Sequence, residues 1–114
     1  MPPQPSRPEP ARMPLDPEFR KKLRGLGHAL HPVVTVAGKG LSETVRAEIE
    51  RALHDHELIK VKLVIAERDL RHQLVRQIAT DFRAEVVQEI GKVVLVYRRN
   101  PEPNPRLTKV PRST

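Results

Sequence analysis

Residues 33 to 65 read VVTVAGKGLSETVRAEIERALHDHELIKVKLVI, and this stretch sets the architecture. Val33, Val34, Thr35 and Val36 form a short β-branched run, the composition of a buried strand, and Ala37-Gly38-Lys39-Gly40 then turns the chain. Leu41 and Ser42 open a helix. Ser42 is its N-cap, Glu43 and Glu48 suit the positive helix start, and Val45, Ile49, Ala52 and Leu53 make an apolar stripe. The stripe fades at His54-Asp55-His56-Glu57. In LIKVKLVI, Ile59, Val61, Leu63 and Ile65 fall on one face and Lys60 and Lys62 on the other, the period of two that marks a strand. Strand, helix and strand in succession predict a right-handed crossover with parallel pairing.

Upstream, Asp16 followed by Pro17 is a helix start, with a capping carboxylate and a proline in the first turn. The helical pattern runs through Phe19, Leu23, Leu26 and Leu30, and Pro32 ends it. Downstream, Leu70, Leu74, Ile78 and Phe82 predict a third helix, after which EVVQEI and KVVLVY meet at Gly91 as an antiparallel hairpin. Val93, Val94, Leu95 and Val96 are apolar in succession, which implies cover on both faces, with the first helix packing apart from the other two. The expected fold is a compact α/β sandwich of two or three layers, in the order α-β-α-β-α-β-β, around a mixed four-stranded sheet.

Prolines bound this unit. Of the 12 in the 114 residues, seven lie within residues 1 to 17 and four within 101 to 111. Pro-dense polar segments stay extended and solvated, so residues 1–15 and 100–114 are expected to be disordered tails around a domain at 16–99. The second tail is basic, with Arg106, Lys109 and Arg112 against Glu102. The formal net charge of the chain is +7 and the isoelectric point near 10.4, which favours acidic partners. Cysteine is absent, which removes disulfides, thiolate zinc sites and Cys nucleophiles. No apolar run approaches the roughly 18 to 20 residues of a spanning helix, and the opening MPPQPSRPEPARMP is unlike a signal peptide. A cytoplasmic protein without membrane contact is expected.

Catalysis and metal binding find little support. Gly38-Lys39-Gly40 lacks the spacing and the following Lys-Ser/Thr of a P-loop. His54 and His56, two apart on a helix, point away from each other, and His28 and His31 have no Cys or carboxylate to complete a site. Glu48 and Glu50, like Glu67 and Asp69, lie beside arginines and read as surface charge balance. Serines are confined to Ser6, Ser42 and Ser113, so no triad is in sight, and no cofactor or small-molecule substrate is implied. What remains is a basic surface: Arg20, Lys21, Lys22 and Arg24 on the first helix, His28 beyond them, and Lys39 between Gly38 and Gly40, where turn amides and the helix start at Ser42 can approach phosphate. With two Phe, one Tyr and no Trp, stacking of bases on the sheet is not expected.

The stretch LRGLGHALHPVVTVAGKGLSETV at 23–45, with HELIKVK at 56–62 and IGKVVLVYR at 90–98, resembles the CRM domain, and specifically the stand-alone bacterial YhbY family. The resemblance covers nearly the whole Pro-poor region. It implies an RNA-binding domain, similar in topology to the C-terminal domain of a bacterial translation initiation factor, that associates with large-subunit rRNA or its precursor particle and assists ribosome assembly. It places the family's GxxG loop at Ala37, Gly38, Lys39 and Gly40, with alanine for the first glycine and Gly38 offering substitute flexibility. It places the family's basic helix and Leu-x-Gly-x-x-His element on Arg20, Lys21, Lys22, Arg24, Gly25 and His28. The alternative from a different class is a non-catalytic interaction module that docks on ribosomal proteins or an assembly factor through the same basic face.

Overall fold

A computed structural model describes residues 15–111. Leu15 apart, the tail expected at residues 1–15 lies outside the described residues. The elements follow the expected order: α1 (Pro17–Gly27), β1 (Pro32–Val36), α2 (Glu43–His56), β2 (Leu58–Leu63), α3 (Arg68–Phe82), β3 (Glu85–Ile90) and β4 (Val93–Tyr97). Both predicted caps form. The Asp16 carboxylate accepts from the Glu18 N–H at 3.0 Å, and Ser42 Oγ accepts from the Val45 N–H at 3.2 Å, each satisfying a donor that a helix start leaves open.

The four strands form one mixed sheet in the order β1-β2-β4-β3. β1 and β2 pair in parallel, with Val36 opposite Leu63, as the crossover through α2 predicts. The hairpin β3–β4 is antiparallel, and β4 inserts between β2 and β3, so the crossover through α3 joins strands that are not neighbours. Helix α1 lies on one face of the sheet, and α2 and α3 lie on the other. That makes three layers, and β4 shows why its sequence is apolar throughout: Val94 and Val96 enter the core under α2 and α3, while Leu95 and Tyr97 enter the core under α1. At about 2 kcal/mol per fully buried aliphatic side chain, each core supplies stability the sheet alone lacks.

Three expectations need correction. The regular helix stops at Gly27, not at Pro32, because the His28, Ala29 and Leu30 N–H groups donate only three residues back, to the Gly25, Leu26 and Gly27 carbonyls, a tighter turn that still brings Leu30 against the α1 core. Leu70 is 41% exposed, since it lies in the first turn of α3, beyond the edge of the core that Leu74, Ile78 and Phe82 fill. The largest correction concerns the C-terminal segment, which is no solvated tail as far as residue 111. Val110 is buried with Leu23, Leu58 and Tyr97 in the α1 core, and the Lys109 N–H donates to the His56 carbonyl at 2.9 Å. The buried Glu57 carboxylate holds the segment from within. It accepts from the Asn100 N–H at 2.6 Å and from Thr108 Oγ1 at 2.7 Å. Proline density misleads here because one apolar side chain and a buried acceptor are enough to tether a short strap.

Candidate nucleic-acid interface

The Gly-Lys-Gly turn joins β1 to α2 at an open end of the sheet. Ala37 closes it, its carbonyl accepting from the Gly40 N–H at 2.8 Å, so Gly38 and Lys39 form the exposed tip. Gly40 has a φ of +67°, the left-handed conformation that favours glycine. Gly38 has no positive φ, so the substitute flexibility expected of it is unused. Ala37 costs the loop nothing for the same reason: the left-handed turn falls on Gly40.

The cations of α1 point in several directions. At about 100° per residue, Phe19, Leu23 and Leu26 face the sheet, Arg20 and Arg24 lie along one flank, Lys22 lies on the other, and Lys21 points outward. Arg20 is engaged by the fold. Its guanidinium donates to the Val86 and Val87 carbonyls at 2.7 and 3.1 Å, at the irregularity of the edge strand β3, where ladder partners are missing. It clamps the helix to the sheet, which no sequence pattern announces, because its partners lie 66 and 67 residues away. Arg46 reaches the Leu41 carbonyl and Asp81, Arg71 the carbonyls of Ile65 and Ala66, and Arg98 both oxygens of Glu50. By contrast, Lys21, Lys22, Arg24, His28 and Lys39 make no side-chain hydrogen bond or ion pair among the described residues.

The structure adds cations that the sequence reading treated only as the polar face of a strand. Lys60 and Lys62 of β2 lie on the α1 side of the sheet, where their register neighbours are Leu95 and Val93. The Leu63 N–H donates to the Lys92 carbonyl at 2.6 Å, and the Val64 N–H donates to the Val36 carbonyl at 2.7 Å. The Lys39 turn, Lys62 and Lys92 therefore share one end of the sheet, and Lys60 leads from there to His28, with which it lines a cleft. The strand alternation was the available signal, and what it lacked was which lysines the first helix leaves bare. Among the described residues no three His, Cys, Asp or Glu side chains stand together as a metal site, and no helix is long and apolar enough to cross a membrane.

Comparison with known proteins agrees with this architecture. The family model for the CRS1/YhbY (CRM) domain matches residues 15–98. A Pseudomonas aeruginosa protein named as a probable RNA-binding protein is 52% identical over 100 residues, 88% of this chain and 96% of its own length. An RNA-binding protein of Haemophilus influenzae is 46% identical over 80 residues, 70% of this chain and 81% of its own. The solution structure of a Staphylococcus aureus protein, described as a candidate RNA binder, superposes with a TM-score of 0.68 at 30% identity, covering 77% of this chain and 92% of that one. With three blocks in one order, a matched fold and relatives of this similarity, the chain belongs to the CRS1/YhbY (CRM) domain family.

Proposed function

We propose that this protein binds RNA, associates with precursor large ribosomal subunits and assists their assembly in the cytoplasm, without catalysis of its own. The uneven charge on the two sides of the sheet carries the reading. On the α1 side, Arg20, Lys21, Lys22, Arg24, Lys60 and Lys62 outweigh Asp16, Glu18 and Glu85, whereas α2 and α3 set six carboxylates against five arginines. A polyanion is drawn to the first side and finds no net attraction at the second. The relatives named as RNA-binding proteins support RNA as that polyanion, and the resemblance to the YhbY family supports the large subunit as its source. In this reading Gly38, Lys39 and Gly40 hold phosphate, Lys21, Lys22 and Arg24 add cationic contacts, His28 adds a hydrogen bond to phosphate or base, and Arg20 keeps α1 in place.

Filter binding over a salt series tests it, with precursor and mature large-subunit rRNA and duplex DNA of matched length. The wild-type protein is expected to prefer RNA. Lys39→Ala combined with Arg24→Ala is expected to weaken binding across RNA sequences by similar factors and to lower the salt slope by about 2. Equal weak binding to every polyanion, unchanged in the variant, would sink the reading in favour of docking on a ribosomal protein.

A further inference from the structure

Helix α1 shields only half of its side of the sheet. It ends with Gly27 against Leu95, over the half that holds Leu58 and Tyr97. The other half presents Thr35, Lys60, Lys62, Gln88, Ile90 and Val93, as strand register and alternation require, and carries no carboxylate. At the border lies a cleft of about 250 Å³ with His28, Lys60 and Gln88 as polar lining and Ile90, Val93 and Leu95 as apolar wall. Ile90 is 64% exposed, and the amide of Gln88 has no side-chain partner among the described residues. Apolar side chains left bare between uncompensated cations fit a ligand that is both anionic and flat-sided.

We propose that a single-stranded segment of RNA crosses this bare sheet face, with one unpaired base in the cleft and its phosphates passing over Lys60 and Lys62 to the Lys39 turn. The inference rests on the RNA-binding reading above and adds where the bases go and what form of RNA is required. Lys60 and Lys62 stand two residues apart on one strand face, about 6.6 Å, which suits successive phosphates of an extended strand. Ile90 and Val93 offer a base face an apolar surface to bury, in place of the aromatic platform this chain lacks. The Gln88 amide, donor and acceptor at once, can pair with a base edge. A duplex keeps its bases stacked inside and presents none of them to a cleft of this size, so it engages the lysines alone.

The test uses the full chain and fluorescence anisotropy with an unstructured 12-nucleotide RNA, free or annealed to its complement. At fixed salt the single strand is expected to bind at least tenfold more tightly than the duplex. Gln88→Ala with Ile90→Ser is expected to remove that preference while leaving duplex affinity and salt slope in place. Lys60→Gln with Lys62→Gln is expected to lower the slope for both forms. Photo-crosslinking of the wild-type protein to thiouridine-substituted RNA is a second measurement that needs no variant, and its adducts are expected between residues 88 and 95. Equal affinity for both forms, or adducts confined to α1 and the Lys39 turn, would overturn the sheet-face site while leaving RNA binding intact. No binding of either RNA would overturn both readings at once.

Discussion

Gly40 and Gly27 are both glycines for different reasons, and each reason makes a prediction. At Gly40 a Cβ would find only Leu74 Cδ2, 3.9 Å away, so Gly40→Ala is strained through its φ of +67° alone. Its expected cost is about 1 kcal/mol in urea denaturation, with Gly40→Asn milder and Gly38→Ala close to neutral. At Gly27 a Cβ would stand 2.5 Å from Leu95 Cδ2 and 3.0 Å from Cδ1. The buried Leu95 head would have to move, so Gly27→Ala is expected to destabilise by about 1 to 2 kcal/mol, and a shortened side chain in Gly27→Ala/Leu95→Val to recover part of it. Neither role was legible in the sequence: a glycine code says that a side chain is absent and not what would have collided with it. Arg98 and Glu50 give a pH effect at the same scale. Their paired hydrogen bonds of 2.9 and 2.8 Å hold the Glu50 carboxyl below its ordinary value of 4.5, against a smaller opposing effect of partial burial. A depressed carboxyl stabilises the fold above the unfolded value and ceases to do so as pH falls through the folded one. Because the Glu50 side chain is 56% exposed, Glu50→Gln is expected to cost only about 0.5 kcal/mol at pH 7, a difference that fades in denaturation as pH falls below 4.5 and through the lower folded value.

Among the elements, the C-terminal strap has the least local support and the clearest tether. Glu57 is fully buried, its φ of +65° turns the chain between α2 and β2, and its carbonyl accepts from the Arg98 N–H at 2.8 Å while its carboxylate takes the Asn100 and Thr108 donors. Glu57→Ala strands those donors and is expected to cost about 2 to 3 kcal/mol. Hydrogen exchange read by mass spectrometry should then rise across residues 100–110 before it rises in the strands. Val110→Ala, which removes methyl groups from the α1 core, is expected to cost about 2 kcal/mol and to raise exchange in the same segment. Strand and helix positions were readable because the period of their apolar residues records which side is buried. The strap has no period, and its anchor is a carboxylate some 40 to 50 residues upstream, so the proline count alone suggested a free end.

At the scale of the molecule the division of labour among basic residues matters more than the total of +7. Arg20, Arg46, Arg71 and Arg98 hold carbonyls or carboxylates of the fold, while Lys39, Lys60, Lys62 and Lys92 make no side-chain hydrogen bond or ion pair among the described residues. Arg20→Lys is therefore expected to act through stability, lowering the thermal midpoint because the lysine side chain is shorter and its ammonium falls short of the two β3 carbonyls that one guanidinium nitrogen of Arg20 meets, with little change in the salt slope of binding. Lys62→Gln is expected to do the reverse, leaving the midpoint in place and lowering the slope by about 1. Calorimetry and a binding series on the same two proteins separate the roles.

The order of elements, the mixed sheet, the two caps and the double burial of β4 were determined by the sequence itself, through spacings within a few residues of one another. The tertiary structure decided what depends on distant partners. It set β4 between β2 and β3, gave Arg20 to an edge strand, folded the strap back against the α2–β2 junction with Val110 in the core under α1, and stopped α1 halfway across the sheet. Side-chain period reports burial, and burial is enough to fix a strand or a helix. Which cation is left for a ligand depends on which carbonyls and carboxylates the fold brings beside it, and no local pattern records that.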